Sequence, residues 1–220
     1  MPLPMYLEPS SVYLDAIIRY QEETAKRVIT TDTLEVVEVE LKYVCGIDVS
    51  YNKNVAYCSA TIIDKDSLKS IESVNTTNLV NQPYIPGLFV LREYEPIINT
   101  LKYLRSNFQM LFIDGNGRLH PRRCGLASCV GVRIDKPTIG IAKSLLCGFV
   151  REDQFVEFGG DILGFQIAID HKKQIYVSIG HRVSLTSAIN VVKKLTKPGQ
   201  WIPEPLRIAH INSRNYASFV

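Results

Sequence analysis

Apolar and polar positions along this chain switch between two periods, and the switches divide it into elements. Over residues 12–28, Leu14, Ile17, Ile18 and Ala25 recur at helical spacing against Arg19, Glu22, Glu23 and Lys26, with Ser10 and Ser11 available as caps. A helix that docks on a core is predicted there. Residues 43–51 and 55–64 are β-branched and aromatic runs separated by Asn52, Lys53 and Asn54, a polar turn of hairpin length, and a third strand near 69–77 would continue the meander. Ile97, Ile98, Leu101 and Leu104 then have helical spacing, and Pro96 either opens that helix or kinks a longer one. Residues 109–113 and 137–142 are short, nearly continuous apolar strands around a small helix expected at 121–132. Such runs suit a sheet covered on both faces. Strands at 162–169 and 174–180 flank a polar turn at 170–173. Ser184 caps a last helix whose Leu185, Ala188, Ile189, Val192 and Leu195 share one face. One helix, three strands and then alternation predict an α/β layered fold.

Composition narrows the class without choosing the function. In 220 residues, 46% hydrophobic and 21% charged, there is enough apolar side chain for a substantial core, so intrinsic disorder is excluded. No repeat, low-complexity run or domain boundary interrupts the pattern, and one domain over residues 1–220 is expected. No run approaches the roughly 18 apolar residues of a membrane helix, and the first nine residues lack the layout of a secretory signal. The expectation is a cytoplasmic protein with no membrane partner. Five cysteines without a C-x-x-C pair fit free thiols in a reducing compartment. A net charge of +3 permits nucleic-acid binding without requiring it.

Candidate chemistry concentrates at strand ends. Asp48, in Gly46-Ile47-Asp48-Val49-Ser50, and Asp114, in Leu111-Phe112-Ile113-Asp114-Gly115, would emerge at one sheet edge if their strands are parallel neighbours. Carboxylates in such apolar settings ask for a cation, an arginine or a good set of hydrogen bonds, although each could also cap a turn. Glu93, just before the Pro96 helix, is a residue that favours a helix N-terminus. Joined to the two aspartates, it would complete a cluster of the kind that holds Mg²⁺. The stretch from Asp114 to Arg123 sets Gly115, Asn116, Gly117, Arg118, His120, Arg122 and Arg123 into one loop. This is either a phosphate-gripping loop or a solvated basic turn. Lys143 ends another strand near the same edge, as a site residue or a surface cation. Pro83-Tyr84-Ile85-Pro86-Gly87 is stiff and carries apolar groups at its tip, suited to wedging between bases or to a buried turn. His210 stands four residues after Leu206, most simply as a helix-surface or packed histidine.

At these residues the chain resembles the endonuclease V family over most of its length, from the helix near Ser10 to about His210. The resemblance rests on five ordered motifs: Gly46-Ile47-Asp48-Val49-Ser50-Tyr51; Pro83-Tyr84-Ile85-Pro86-Gly87 with Arg92-Glu93; Asp114-Gly115-Asn116-Gly117 with His120-Pro121-Arg122-Arg123; Thr138-Ile139-Gly140-Ile141-Ala142-Lys143-Ser144; and Gly180-His181-Arg182-Val183-Ser184-Leu185. It implies a ribonuclease-H-like fold, a central mixed β-sheet flanked by helices. It implies hydrolysis of the second phosphodiester 3′ to deoxyinosine in DNA, leaving a 3′-hydroxyl and a 5′-phosphate. Asp48, Glu93 and Asp114 would hold Mg²⁺, with Mn²⁺ substituting, while Lys143 lies near the reacting phosphate and His210 assists. Tyr84 and its loop (Pro83, Ile85, Pro86 and Gly87) would act as a wedge. The turned-out base would enter a pocket built from Gly115, Asn116 and Gly117, with Arg92, His120 and Arg122 at the substrate. The expected acting unit is a monomer. Some relatives cut inosine in RNA, so inosine-containing RNA is an alternative substrate, and a lesion-binding module without turnover is a further one. The family often carries histidine after Gly-Leu-Ala, whereas this chain reads Gly125-Leu126-Ala127-Ser128-Cys129. Cys129 is expected to fill space as a small hydrophobe.

Overall fold

The computed structural model describes residues 10–33, 41–168 and 173–218. The first helix, α1 (Ser11–Ala25), starts where the Ser10 Oγ accepts the Tyr13 N–H at 3.3 Å, and its buried residues are Gln21 and Thr24. The hairpin forms as β1 (Tyr43–Asn52) and β2 (Val55–Asp64), with a turn reduced to two residues and Lys53 at φ 53°. β3 (Ser70–Leu79) adds the third antiparallel strand.

Pro96 lies inside α2 (Val90–Leu101), so the helix begins a turn and a half before it, and Glu93 stands in its first turn rather than ahead of it. Next come β4 (Met110–Asp114), α3 (Leu126–Ile134) and β5 (Thr138–Ala142). The small helix thus starts five residues later than the expected Pro121, for a physical reason. Arg123 takes a left-handed φ of 55°, and the Gly125 and Ala127 N–H groups donate to the Gly117 and Asn116 carbonyls, so residues 121–125 are held as a turn.

β6 (Phe149–Val150) and β7 (Phe155–Phe158), not foreseen from the sequence, precede β8 (Asp161–Ala168) and β9 (Gln174–His181). The turn expected at 170–173 falls outside the described residues except for Lys173. Two helices close the chain, α4 (Leu185–Lys194), capped by Ser184, and α5 (Glu204–Ser218). The Ser184 helix is therefore not the last one.

The strands form one mixed sheet in the order β3-β2-β1-β4-β5-β9-β8-β7-β6, with β1, β4 and β5 parallel at its centre. Side chains alternate across these strands, as period two requires. Val44, Phe112, Ile139 and Ile141 pack with Ala188, Val192 and Leu206 from α4 and α5. Cys45, Ile47, Leu111 and Ile113 pack with Ile97, Leu126 and Val130 from α2 and α3. Burying each large aliphatic contributes roughly 1.5–3 kcal/mol, and the two cores fix the central strands from both faces. Among the described residues no helix is long and apolar enough to cross a membrane.

Candidate active site

The parallel pairing that sequence reasoning required is present: β1 and β4 are neighbours, and Ile47 pairs with Ile113. Asp48 and Asp114, each one residue further on, are therefore level and on the same face. Asp114 pairs with Ile141 on β5, which brings Lys143, two residues later, to the same edge, where its Nζ is 2.5 Å from Asp114 Oδ2. Glu93 reaches the cluster from α2 and is 4% exposed.

Each carboxylate is held differently. Burial pushes Asp48 up, but hydrogen bonds from His210 Nδ1 at 3.3 Å and Ser213 Oγ at 2.6 Å outweigh it and keep Asp48 below its usual range. Asp114 is raised to about 6 by burial and by the charge of Asp48, against the pull of Lys143. Glu93 is pushed well above its usual range, through burial and then repulsion from Asp114 and Asp48, although the Tyr51 hydroxyl donates to its Oε1 at 3.1 Å. Burial lowers Lys143, but the Asp114 charge reverses this and leaves it raised. Burial and mutual repulsion leave Glu93 and Asp114 raised even with Lys143 and Arg92 acting on them, so the cluster is short of positive charge.

That donor set fits a hard divalent cation, because all its atoms are carboxylate oxygens. Among the described residues no group of three or more His, Cys, Asp or Glu side chains is spaced to hold a metal ion on its own. Mg²⁺ does not need one, since it usually takes one or two carboxylates plus water and substrate phosphate.

A cavity of about 180 Å³ opens beside the carboxylates, lined by Gln21, Tyr84, Gly87, Asp114, Gly115, Asn116, His120, Leu126 and Lys143. Tyr84 is 63% exposed, with its ring edge-on to Phe89 at 5.6 Å, so the proline loop is a protruding tip and not a buried turn. Pro83, Ile85 and Pro86 shape that tip without lining the cavity. Asn116 Oδ1 is buried with no hydrogen-bond partner among the described residues. Gly117 is forced by packing: a Cβ there would lie 2.1 Å from the Ile179 carbonyl oxygen.

The basic loop differs most from its phosphate-gripping expectation. Arg122 Nε donates to Gln21 Oε1 and its Nη2 to the Gly87 carbonyl, while Arg123 donates to Phe158 O and Asp161. Both arginines hold protein to protein. His120 is 2% exposed and neutral, its Nε2–H donating to Gly87 O while Nδ1 accepts the Arg122 N–H; burial and Arg122 lower it to about 4. Arg92 lies over the Tyr51 ring, 4.3 Å from its centre, and so buttresses the residue that orients Glu93. All five cysteines are free, and Cys129 packs with Val90 and Cys124 away from the carboxylates.

Sequence reasoning missed Tyr51, Ser213 and Gln21 as site residues. Tyr51 was within a quoted motif, and its parity on β1 points it towards α2. Ser213 stands one helical turn past His210, a spacing that could have paired them.

A mixed sheet with acidic groups at the edge of its parallel strands, beside a cavity with an exposed aromatic at its mouth, has the parts that a nuclease uses. Comparison makes the family explicit. The family model described as Endonuclease V matches residues 22–211. An endonuclease V of Thermofilum pendens is 36% identical over 214 residues, covering 95% of this chain and 91% of that protein. The crystal structure of the catalytic domain of human endonuclease V superposes with a TM-score of 0.86 at 26% identity, covering 96% of this chain and 98% of that one. A Ciona intestinalis endonuclease V, solved in complex with a 24mer DNA containing an inosine followed by a ribo-adenosine, gives a TM-score of 0.81 at 28% identity over 94% and 98% of the two chains. The chain belongs to the endonuclease V family.

Proposed function

We propose that this chain, acting as a monomer and as one domain over residues 1–220, cuts DNA at the second phosphodiester 3′ to a deoxyinosine, leaving a 3′-hydroxyl and a 5′-phosphate. The observation that carries the reading is the meeting of Asp48, Glu93, Asp114 and Lys143, of which Asp114 and Lys143 line a cavity faced by Tyr84. The Ciona relative, with an inosine-containing DNA in its complex, supports this substrate class. A cytoplasmic location agrees with the free thiols.

Asp48, Glu93 and Asp114 would hold Mg²⁺ or Mn²⁺, which when bound supplies an activated water and a Lewis acid at the phosphate. The protein's own groups prepare that site. Ser213 and His210 fix one oxygen of Asp48, and Tyr51 fixes one oxygen of Glu93. Lys143 provides positive charge where the phosphate gains negative charge. Tyr84 unstacks the lesion, and the cavity beneath takes the turned-out base, with the unpartnered Asn116 Oδ1 able to accept from its edge. Flipping costs a few kcal/mol and least at a poorly paired base, so inosine is partly selected before the cavity reads it.

The test is strand-labelled DNA carrying one inosine, incubated with Mg²⁺ and separately with EDTA, and mapped at its ends. One Mg²⁺-dependent nick two phosphates 3′ of the lesion is expected. Tight inosine-selective binding without a cut would instead make the protein a lesion-binding module. A ribo-adenosine follows the inosine in the Ciona complex, so an inosine-containing RNA runs beside the DNA, and faster cutting of the RNA would make it the main substrate. Tyr84→Ala is expected to weaken inosine-DNA binding roughly tenfold, from the 1–3 kcal/mol of one base–aromatic stack, while Mn²⁺ binding measured by calorimetry stays unchanged. Unaltered DNA affinity would remove the wedge role.

A further inference from the structure

Gln21 is 1% exposed on a helix whose other residues, Thr24 apart, are half-buried or exposed. A buried amide on an otherwise open helix needs partners, and here every partner belongs to a loop at the cavity. Its Nε2 donates to the Cys124 carbonyl at 2.9 Å and to the Gly87 carbonyl at 3.4 Å, and its Oε1 accepts Arg122 Nε at 2.9 Å. The orientation of the amide follows from chemistry: Arg122 can only donate and carbonyls can only accept, so oxygen faces the guanidinium and nitrogen faces the carbonyls.

The Gly87 oxygen is the point where these contacts converge. It also accepts His120 Nε2 at 2.9 Å and Arg122 Nη2. Gly87 has φ 77°, and a Cβ there would approach Arg122 Nη2 to 3.3 Å. The Leu88 N–H donates to the Ile85 carbonyl, closing the turn that carries Tyr84. The tip is thus fixed within itself by that turn, and fixed to the loop of residues 120–124 through Gly87.

We infer that Gln21 is a specificity-determining positioning residue: by holding Arg122 and the Cys124 carbonyl it reinforces the tie that His120 and Arg122 make from the loop of residues 120–124 to the Tyr84 loop at Gly87, and so sets the gap that admits the lesion base. The inference rests on the reading of the cavity as a base pocket, and gives α1 a part in discrimination as well as in folding. The hydrogen bonds of the Gln21 side chain go to Gly87, Cys124 and Arg122 and not to Asp48, Glu93, Asp114 or Lys143, so its loss should blur which base enters.

The experiment uses the full chain, in EDTA, with two duplexes that differ only by inosine or adenine at one position, and 2-aminopurine beside that position to report unstacking. Gln21→Met removes all three hydrogen bonds at similar volume. Gln21→Glu keeps the acceptor for Arg122 and loses the donor to the carbonyls. For each variant that melts cooperatively, the ratio of inosine to adenine affinity is expected to fall roughly tenfold, the effect of one to two lost hydrogen bonds, with a smaller 2-aminopurine rise. The Gln21→Glu variant is expected to fold because its Arg122 tie remains. A ratio unchanged within about twofold overturns the inference, as does an equal loss of affinity for both duplexes, which marks mere loosening. If the wild-type chain itself does not distinguish the duplexes, the base-pocket reading fails first, and the two failures are told apart by that control.

Discussion

Asp114→Ala is expected to abolish cleavage of an inosine-containing duplex, by about 10³-fold or more, while affinity for that duplex in EDTA stays within a few-fold of wild type. The size follows from what one residue does. Asp114 is the carboxylate nearest Lys143, at 2.5 Å, and one of two aspartates set level on β1 and β4. Removing it takes away a candidate metal ligand and frees Lys143 from its partner. Loss of a metal's charge stabilisation is worth several kcal/mol, and about 4 kcal/mol is a factor of 10³ in rate. Binding should survive, because a carboxylate beside phosphates opposes DNA association and does not assist it. Calorimetry with Mn²⁺ and no DNA gives the independent measurement: affinity should collapse in Asp114→Ala as in Asp48→Ala. A variant that still cuts, or still binds Mn²⁺ as wild type, would remove Asp114 from the metal site.

This expectation could be framed from sequence because aspartate is a poor strand residue, and two of them ending apolar strands is a local contradiction with a visible chemical resolution. The β1–β2 hairpin was legible because two β-branched and aromatic runs flank a short polar gap, although the folded turn is one residue shorter than that gap. Pro96 was ambiguous, since local rules admit proline at a helix start or, at a cost, inside, and packing of the buried Val90 and Glu93 chose the second. The strands β6 and β7, of two and four residues, carry too little pattern to be seen. Ser213, Tyr51 and Gln21 were missed because their partners lie 165, 42 and up to 103 residues away; the one-turn spacing of His210 and Ser213 and the strand parity of Tyr51 were local hints, but only the folded chain brings the partners together. Arg122 misled for the complementary reason: a basic loop reads as a phosphate grip, whereas the folded chain gives its guanidinium to Gln21 and Gly87.

A tight contact between the fold and the site lies at Gly46, and it sets the second large effect. A Cβ built there would lie 2.2 Å from the carbonyl carbon and 2.3 Å from the oxygen of Pro205, and 2.7 Å from the Leu206 nitrogen. All three are backbone atoms at the start of α5, so no side chain can turn aside. α5 must back away from β1, and α5 carries His210 and Ser213, both bonded to Asp48. Gly46→Ala is therefore expected to cost about 3 kcal/mol, the upper end for overpacking. For a chain of this length that is roughly 6–12 °C in melting temperature. It should also weaken Mn²⁺ binding through the disturbed Asp48, although position 46 holds no ligand. Ser213→Ala separates the two consequences: it removes the hydroxyl from Asp48 without moving the helix, so metal affinity should fall with a much smaller melting shift. If Gly46→Ala melts within about 2 °C of wild type, below the shift of a single kcal/mol, then α5 does not rest on β1 at this distance, and the support of Asp48 by His210 and Ser213 loses its structural basis.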